Sequence, residues 1–410
     1  MRQQRKITSL LILICLIQAN ITLAIGWEDE IQKHRAAQFT LITPIGTNGL
    51  NAAEYVNNFS VNLLLGISGG VQGFEIGGLH NTTKGDVRGF QMGGLGNVTT
   101  GICSGAQFGG LYNIDLNLTT GVQFAGITNI ISGPSKGAQF AGIGNVINHE
   151  SWTFQTAGIA NITPEGNHGV QIAGISNVNG NQGAGSQLAG LANITYGKSA
   201  SFQAAGLVNV STKGVRGVQI AGMANYTKKL NGFQLALINV ADTVERGVPL
   251  GLFSIVKHGY YAFEIEANES FWINANYKMG VPKLYNIFTV GFTQQDNQEM
   301  WGVGMGLGSL LPVGKNWGFN FDLTATQINE NTWWTEDLNL LNRLKINAWF
   351  DLGKIQVYGG PSLNVYVSQY KNEEGIPGGN LIDPQVSFYD GINGDTRTIV
   401  YPGFNVGLRF

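Results

Sequence analysis

The chain has 410 residues, and its 59 glycines are about twice the average share. Charged residues make up only 12% of the chain and the formal net charge is −2, so no basic face is available to neutralise nucleic-acid phosphates. The composition argues against a nucleic-acid-binding protein and is unusual for a globular α/β enzyme.

The first residues have the features of an export signal. Arg2, Arg5 and Lys6 precede an apolar run over residues 7–24, which ends in small residues. Polar residues interrupt this run, which is already short for a membrane-spanning helix. We therefore predict a signal peptide over residues 1–24 and an exported protein.

A repeat of sixteen residues occupies the middle of the chain. Its phrase, "GVQIAGISNV" in Gly169–Val178, has Gly three residues after the Gln and Asn six residues after it. Ten consecutive copies keep this spacing, from the one with Glu75 in the Gln place to the one with Gln219. Members of the Gly and Asn columns include Gly126, Gly142, Gly174, Gly222, Asn129, Asn145, Asn177 and Asn225.

The constant period predicts a β-solenoid over residues 69–258. Each coil of a solenoid must match the perimeter of its neighbours, whereas the loops of an up-and-down meander are free to vary in length. A meander with this period would also leave about six residues per strand, too few to cross a membrane. Ten to twelve coils would form a rod roughly 50–55 Å long.

The repeat phrase also predicts where its side chains point. Val170 and Ile172 alternate with Gln171, and we expect these two apolar residues to face a thin core. Gly174 is expected to supply an unusual backbone torsion at a bend. Asn177 is expected to hydrogen-bond to the equivalent Asn one coil above and one coil below.

Two other roles for these columns have some support in the sequence. The Asn often begins a glycosylation signal, but Asn145 and Asn177 occupy the same column without the required hydroxyl residue, which favours a structural role. A neighbouring hydroxyl column that includes Thr99 is similar to ice-binding solenoids. Asp115 and Ile131 interrupt that column, so ice binding is the weaker interpretation.

Signals for catalysis and metal binding are weak. Glu150 and Glu165 are the acidic residues expected to come near each other, in adjacent coils, while the other acids of the repeat are scattered over different positions. The histidines lack metal-ligand spacing. Once the signal is removed Cys103 is the one remaining cysteine, so no disulfide framework is expected. We predict no catalytic residue, no metal site and no cofactor.

The last third of the chain has longer alternating segments. Trp317–Ala325 and Arg343–Asp351 each place apolar side chains on one face and polar ones on the other. Such segments of about ten residues predict an antiparallel outer-membrane-type β-barrel of about ten strands. The first two strands are assigned within 35–68 and the remaining ones within 259–410. The eight later strands are predicted at 260–267, 270–279, 283–293, 299–311, 316–328, 339–352, 354–369 and 397–410.

The predicted connections between barrel strands differ in length. Residues 45–58, 329–338 and 370–396 form long connections, whereas "GVPK", "PVGK" and "LGK" form tight turns. Long outer loops and short inner turns are typical of outer-membrane barrels, and in this topology the solenoid leaves on the periplasmic side. Trp333 and Trp334 lie on a long outer loop, where they would contact a sugar, a partner or the membrane interface.

The repeat phrase is followed by "GVPLGLFSIVKHGYY" and "NANYKMGVPKLYNIFTVG" and then by the barrel-like segments. This combination resembles the uncharacterised surface-repeat proteins of Gram-negative bacteria, including Bacteroidetes and spirochaetes, over most of the mature chain. The resemblance implies an envelope location and this architecture. It implies no catalytic residue, because that family has no assigned activity.

The sequence therefore predicts an all-β, non-enzymatic cell-envelope protein in which a barrel anchors a rod that serves as a structural or interaction surface. The Asn and Gln rows would form its polar face, and its partners would be outer-membrane lipid, envelope polysaccharide or another protein. A small channel is the alternative, although inward Arg343, Lys345, Asp322 and Asp351 can pair and fill a narrow barrel. A carbohydrate-active solenoid enzyme is a third possibility.

Overall fold

Strands account for nearly all regular structure in the computed structural model, with one short 3-10 helix at Gly49–Glu54 among the described residues. Those residues are 33–180, 183, 185–197, 201–295, 298–372, 375–379 and 381–410. The predicted signal peptide, 1–24, lies outside them. No helix within these ranges is both long and apolar enough to cross a membrane. The chain divides into two units between Thr227 and Lys228.

The first unit consists mainly of short strands that pair in parallel, with Ile45–Gly46 antiparallel to Lys33–Ile42, and its last strand continues past the division. They are β1 (Lys33–Ile42), β2 (Ile45–Gly46), β3 (Tyr55–Ser68), β4 (Gly70–Gly77), β5 (His80–Thr83), β6 (Val87–Gly93), β7 (Gly96–Thr99), β8 (Cys103–Gly109), β9 (Tyr112–Asp115), β10 (Thr119–Ala125), β11 (Thr128–Ile131), β12 (Ser135–Ala141), β13 (Gly144–Ile147), β14 (Ser151–Ala157), β15 (Ala160–Thr163), β16 (Val170–Ala173), β17 (Ser176–Asn179), β18 (Ser186–Ala189), β19 (Ala192–Thr195), β20 (Phe202–Ala205), β21 (Val208–Ser211), β22 (Val218–Ala221) and β23 (Ala224–Leu235).

Each coil consists of a strand that carries the Gln and a short strand that carries the Asn. Each strand pairs in parallel with its equivalent one coil away, so that Gln123 lies opposite Gln139 and Asn129 opposite Asn145. Successive equivalent residues are sixteen apart, as the repeat requires. The predicted β-solenoid is confirmed, with about 12 coils.

The inside of the solenoid is polar, which corrects the predicted orientation of its apolar residues. Gln171 is 1% exposed and Asn177 is 0% exposed, while Val170 and Ile172 point outward and are partly exposed. The physical reason is that an amide both donates and accepts. Identical amides stacked in register therefore satisfy one another inside the narrow coil.

Residues 35–68 belong to the solenoid, so their assignment to the first two barrel strands is wrong. β1 pairs in parallel with β3, with Gln38 opposite Ser60, and β3 pairs in parallel with β4, with Ser60 opposite Glu75. Gln38 thus lies in the Gln column, and the solenoid begins at Lys33 rather than at residue 69. A solenoid strand and a barrel strand that both turn polar side chains inward have the same alternation of apolar and polar residues. The alternation in this segment therefore does not distinguish the two structures.

The second unit begins with the end of the solenoid and continues as an antiparallel sheet. Its strands after β23 are β24 (Ile238–Leu250), β25 (Phe253–Val256), β26 (Tyr260–Asn268), β27 (Ile273–Val281), β28 (Leu284–Gln295), β29 (Gln298–Pro312), β30 (Trp317–Glu330), β31 (Asn339–Asp351), β32 (Gln356–Ser368), β33 (Tyr389–Asn393) and β34 (Thr396–Arg409). β24 and β25 pair in parallel, as in the solenoid.

The antiparallel sheet has nine strands, and eight of them close into a barrel. β26 pairs with β27 on one side and with β34 on the other, while β32 pairs directly with β34. β33 forms a hairpin on β34 outside this ring. All eight strands predicted after the repeat are present. The nine-stranded sheet is close to the predicted number of about ten, although residues 35–68 supply none of its strands.

Connections of different length lie at the two ends of the barrel. At the end where β26 starts, the connections are 282–283, 313–316 and 352–355. At the opposite end, the described connections include 269–272, 331–338 and the segment 369–388 that leads to β33. The predicted asymmetry between short turns and long connections is therefore present, and the chain enters the barrel at the short-turn end.

Candidate functional site

A hydrogen-bonded ladder of Asn side chains runs inside the solenoid. Asn177 Nδ2 donates to Asn193 Oδ1 over 3.0 Å and to the Leu188 carbonyl over 2.7 Å, and Asn177 Oδ1 accepts from Asn161 over 2.9 Å. Donation from each Asn to the next continues through Asn62, Asn81, Asn97, Asn113, Asn129, Asn145, Asn161, Asn177, Asn193, Asn209 and Asn225. The predicted ladder is present, and its burial leaves no accessible amide for a glycan.

A second ladder, of Gln side chains, runs in the opposite direction. Gln139 Nε2 donates to Gln123 Oε1 over 2.8 Å, toward the earlier coil. The row is Gln219, Gln203, Gln187, Gln171, Gln155, Gln139, Gln123, Gln107 and Gln91, and it ends at Glu75. Glu75 Oε2 accepts from Gln91 over 2.7 Å, and Glu75 Oε1 accepts from Asn62 over 3.2 Å.

Two carboxylic acids are buried beside these ladders. Asp115 accepts hydrogen bonds from Gln107, Gln123 and Thr119 over 3.0, 2.9 and 2.8 Å. Burial raises the pKa of Asp115 to about 6, although the hydrogen bonds from Gln107 and Thr119 oppose this shift. Burial also raises the pKa of Glu75. Each acid accepts hydrogen bonds from neutral amide or hydroxyl donors.

The Gly column is required by the close approach of coils. A Cβ at Gly126, Gly142, Gly174 or Gly222 would overlap the carbonyl oxygen of the column glycine one coil earlier. The prediction that Gly174 supplies an unusual backbone torsion is therefore wrong, because what requires glycine at this position is the lack of space for a Cβ. Positive φ angles fall instead on the glycine two residues before the Gln, as at Gly121 with φ 140°.

The outside of the solenoid is apolar on the side of the bend. The residue after each column glycine is always Leu, Ile or Met, and Ile143 is 47% exposed there. A groove runs along the Gly column beside a row of Phe. Its lining includes Phe108, Phe124, Phe140, Gly110, Gly126 and Gly142. The expected polar face of Asn and Gln is therefore wrong, because those residues point inward.

Buried charges form one cluster inside the barrel around Glu264. Lys278 Nζ lies 2.8 Å from Glu264 Oε1 and 2.7 Å from Asp322 Oδ2. Arg409 Nε lies 2.6 Å from Glu264 Oε1. Tyr285 donates its hydroxyl to Asp322 over 2.7 Å. These opposed charges compensate one another within the wall of the barrel.

A second buried charge cluster surrounds Glu266. Lys345 Nζ lies 2.8 Å from Glu266 Oε2, Arg343 Nη1 lies 3.7 Å from Glu266 Oε1, and the Tyr358 hydroxyl donates to Oε2 over 3.1 Å. The predicted inward orientation of Arg343, Lys345 and Asp322 is confirmed. Asp351 is half-buried at the end of its strand, where it accepts from the amide of Gly353.

Apolar side chains close the other part of the barrel interior. Phe271, Met300, Ile328, Leu341, Tyr366, Ile382, Ile399 and Tyr401 form one buried cluster. Ile382 comes from the connection between β32 and β33 and is 4% exposed, so this connection folds back into the barrel. The two charge clusters and this apolar cluster together fill the interior.

The outer wall of the barrel is apolar and has aromatic residues near its ends. Leu323 is 57% exposed at the centre of β30 and pairs with Leu307 and Leu344 on the flanking strands. At the long-connection end, the ring of Trp301 lies 5.4 Å from that of Trp333 and 6.3 Å from that of Trp334. This Trp cluster includes both residues predicted on the long connection.

The acidic residues expected to approach each other pair with histidines instead. His168 Nε2 lies 2.6 Å from Glu150 Oε1, and His149 Nδ1 lies 3.1 Å from Glu165 Oε2, on one partly exposed edge of adjacent coils. Within the described residues, no group of three or more His, Cys, Asp or Glu side chains is arranged to hold a metal ion.

Several buried residues were not singled out from the sequence. Glu264, Glu266, Lys278 and Arg409 form the barrel charge clusters, and each alternates with apolar neighbours in "FEIEA", "NYKMG" and "GLRF". That alternation places each charged residue on the inner face of its strand, and these buried charges could have been predicted from it. No protein-family model, curated protein or solved structure matches the chain.

Proposed function

We propose that this chain is a non-enzymatic outer-membrane protein of a Gram-negative envelope, in which the barrel anchors the solenoid. The observation that carries this proposal is the closed barrel with two buried charge clusters inside it and an apolar outer wall. A closed barrel that exposes Leu323 and its neighbours suits a hydrocarbon environment, because its strands pair in a ring and leave no sheet edge.

Aromatic residues and connection lengths support the same interpretation. Tryptophans at the interface between lipid and water are common in membrane barrels, and Trp301, Trp333 and Trp334 occupy such a position at the long-connection end. In bacterial barrels the long connections are extracellular. The chain enters the barrel from the solenoid at the opposite end, which favours a periplasmic solenoid. The predicted topology, in which residues 35–68 supplied two barrel strands, does not support a periplasmic solenoid, because those residues belong to the solenoid.

The small-channel alternative is less well supported than the anchor. Glu264 and Glu266 are compensated by buried Lys278, Lys345 and Arg409, and an apolar cluster fills the other end. An eight-stranded barrel has an interior just wide enough for its own side chains. A barrel filled in this way serves as an anchor, and we expect no conductance in planar bilayers.

The test compares two substitutions that introduce the same charge. Leu323→Arg places a guanidinium on the centre of the outer wall, where it costs about 2–4 kcal/mol in a bilayer. Trp333→Arg places it on an 85% exposed connection residue. We expect Leu323→Arg to reduce outer-membrane recovery and heat-modifiable gel mobility, and Trp333→Arg to leave both near the parent level.

Two results would overturn the anchor. One is quantitative recovery of the parent protein in the soluble periplasmic fraction. The other is an equal response of Leu323→Arg and Trp333→Arg in folding into lipid vesicles, since a soluble barrel would treat both exposed positions alike.

A further inference from the structure

The exterior of the solenoid has the same polarity as a membrane-facing wall. Equivalent outward-pointing residues of successive coils form columns, and four of these columns are made almost entirely of apolar or small residues. The row at the bend, directly after the column glycine, holds only Leu, Ile and Met. That row is Leu79, Leu95, Leu111, Ile127, Ile143, Ile159, Ile175, Leu191, Leu207 and Met223. Ten coils at about 4.8 Å per coil give an apolar edge roughly 45 Å long. An apolar surface of this extent is rare on proteins surrounded by water.

The charged residues of the solenoid are confined to the opposite edge. Between residues 69 and 227, the described charged side chains that are not buried lie in or next to the connection from a short strand to the following long strand. They are Lys84, Asp86, Arg88, Lys136, Glu150, Glu165, Lys213 and Arg216. The rod is therefore amphipathic along its length, with a charged edge and an apolar edge.

The groove on the apolar side offers few polar groups to a sugar or a peptide, since Thr156 is the one polar side chain in its lining. The amides of Gly126 and Gly142 are already paired with the carbonyls of Gly109 and Ala125, over 3.3 and 3.2 Å. The groove is lined by Phe108, Phe124 and Phe140 and by the small residues at and before the column glycines, and the Leu, Ile and Met row lies one residue further along the chain. A hydrocarbon chain needs no hydrogen bonds and can lie along such a groove.

Within the second unit, the apolar surface of the last coil is continuous with the barrel wall. Phe253 on the outside of β25 stacks on Phe288 on the outside of β28, with ring centroids 5.4 Å apart. Asn286 also fastens this coil to β28 by donating to the Gly251 carbonyl and accepting from the Ser254 amide. Leu252 precedes Ser254 by two residues, as Ile143 precedes Asn145, so this coil has an exposed Leu at the equivalent position.

We propose that the apolar edge of the solenoid is inserted into the acyl-chain region of a lipid bilayer, with the charged edge facing water. The rod then lies along the membrane surface as an elongated amphipathic element, in contrast to a rod that projects into the periplasm. This proposal goes beyond the anchoring role of the barrel, since it concerns a different surface and predicts lipid contact by residues far along the chain from the barrel strands.

The test places one fluorophore at matched positions of the full-length chain. Ile143→Cys on the apolar edge and Asn148→Cys on the charged edge lie in the same coil and are both exposed. Cys103 is 1% exposed, so it does not react, and Cys15 is replaced by Ser. Leu323→Cys reports on the barrel wall. Each bimane-labelled variant is reconstituted in phosphatidylethanolamine vesicles with nitroxide on the acyl chains or on the headgroups, and cooperative melting checks its fold.

We expect the acyl-chain nitroxide to remove most of the bimane emission at Ile143 and to leave Asn148 largely unaffected. Quenching at Leu323 with none at Ile143 overturns the proposal while leaving the anchor intact. In that case, disulfide formation between Ile143→Cys chains identifies a second copy as the cover of the apolar edge. Quenching at Ile143 without quenching at Leu323 supports this proposal and contradicts the anchor. Absence of quenching at both positions contradicts both.

Discussion

The solenoid and the barrel both bury polar side chains and expose apolar ones, but they compensate the buried groups differently. Parallel in-register pairing brings each solenoid residue opposite its own equivalent, as Gln123 lies opposite Gln139. Charges of one sign stacked about 4.8 Å apart would repel one another, whereas an amide donates to one neighbour and accepts from the other. Repetition therefore selects neutral amides.

Antiparallel pairing in the barrel removes that restriction. Neighbouring strands there have different sequences, so Glu264 contacts Lys278 and Arg409 rather than another glutamate. Opposite charges can then be buried as pairs. The comparison shows that strand direction determines which polar groups an inside-out β-structure can accommodate.

The largest effect is expected from breaking the register of the solenoid. Deleting residues 121–136 removes one whole coil and leaves every column intact, so cooperative melting followed by circular dichroism should persist. Deleting 121–128 alone brings Asn129 into the place of a long-strand residue and should abolish folding. Similar behaviour of the two deletions would contradict the requirement for a constant perimeter.

The next largest effect is expected from breaking a charge cluster in the barrel. Glu266→Gln leaves buried Lys345 and Arg343 without a carboxylate and should lower the free energy of unfolding by about 3–5 kcal/mol. Urea unfolding in detergent micelles measures this loss, with exposed Glu299→Gln as the control. If the loss in the free energy of unfolding were smaller than that of an Asn ladder substitution, removing the partner of a buried charge would not cost more than removing the partner of a buried amide.

A pH trend should distinguish the buried acid of the solenoid. The pKa of Asp115 is about 6 in the folded chain and 3.8 ordinarily, so the protonated form is favoured by folding. Stability is then full below pH 4 and falls as the pH rises through 6, by at most about 3 kcal/mol. Burial lowers the pKa of His80 to about 4, which contributes an opposite trend as the pH falls below 6.5.

Asp115→Thr isolates the effect of the acid, because Thr99 occupies the same column and His80 remains. The difference in melting temperature between this variant and the parent should grow in favour of the variant between pH 4 and 6. A difference that does not change with pH would show that Asp115 does not titrate in this range.

A smaller effect is expected from a single rung of the Asn ladder. Asn177→Ala removes the acceptor of Asn161 and the donor to Asn193 and Leu188, at about 1–3 kcal/mol. Ser176→Ala is the matched control, because Ala160 and Ala192 occupy that column in adjacent coils. An unchanged melting midpoint for Asn177→Ala would refute a stabilising ladder.

The sequence was sufficient to predict the elements whose pattern has a single interpretation. The sixteen-residue spacing predicts the coils and the Asn ladder, because few structures require a constant period. The eight later strands follow from long alternating segments. β33 was missed, although Asn393-Gly394 is a strong hairpin signal and Gly394 has φ 60°.

The direction in which solenoid side chains point was not predictable from alternation. Val170 and Ile172 flank Gln171 in a pattern that is equally consistent with an apolar or a polar interior. The same ambiguity placed 35–68 in the barrel, since the insertion that contains the helix Gly49–Glu54 disrupts the period there. The parallel pairing of Gln38 with Ser60, across 22 residues, and of Ser60 with Glu75 distinguishes the two structures.

The carboxylate of Glu75 forms the end of the row of Gln hydrogen bonds. Every glutamine in the row passes a hydrogen bond toward the earlier coil, and Glu75 receives the last one without an N–H of its own to pass on. Duplicating residues 121–136 would lengthen the row without adding an end group. Duplicating a coil that includes Glu75 would insert a terminator within the row, and the glutamate beyond it would lose the hydrogen bond that Gln91 donates to Glu75. Coil number is therefore free to change downstream of Glu75, whereas the coil that contains Glu75 cannot be repeated without interrupting the row.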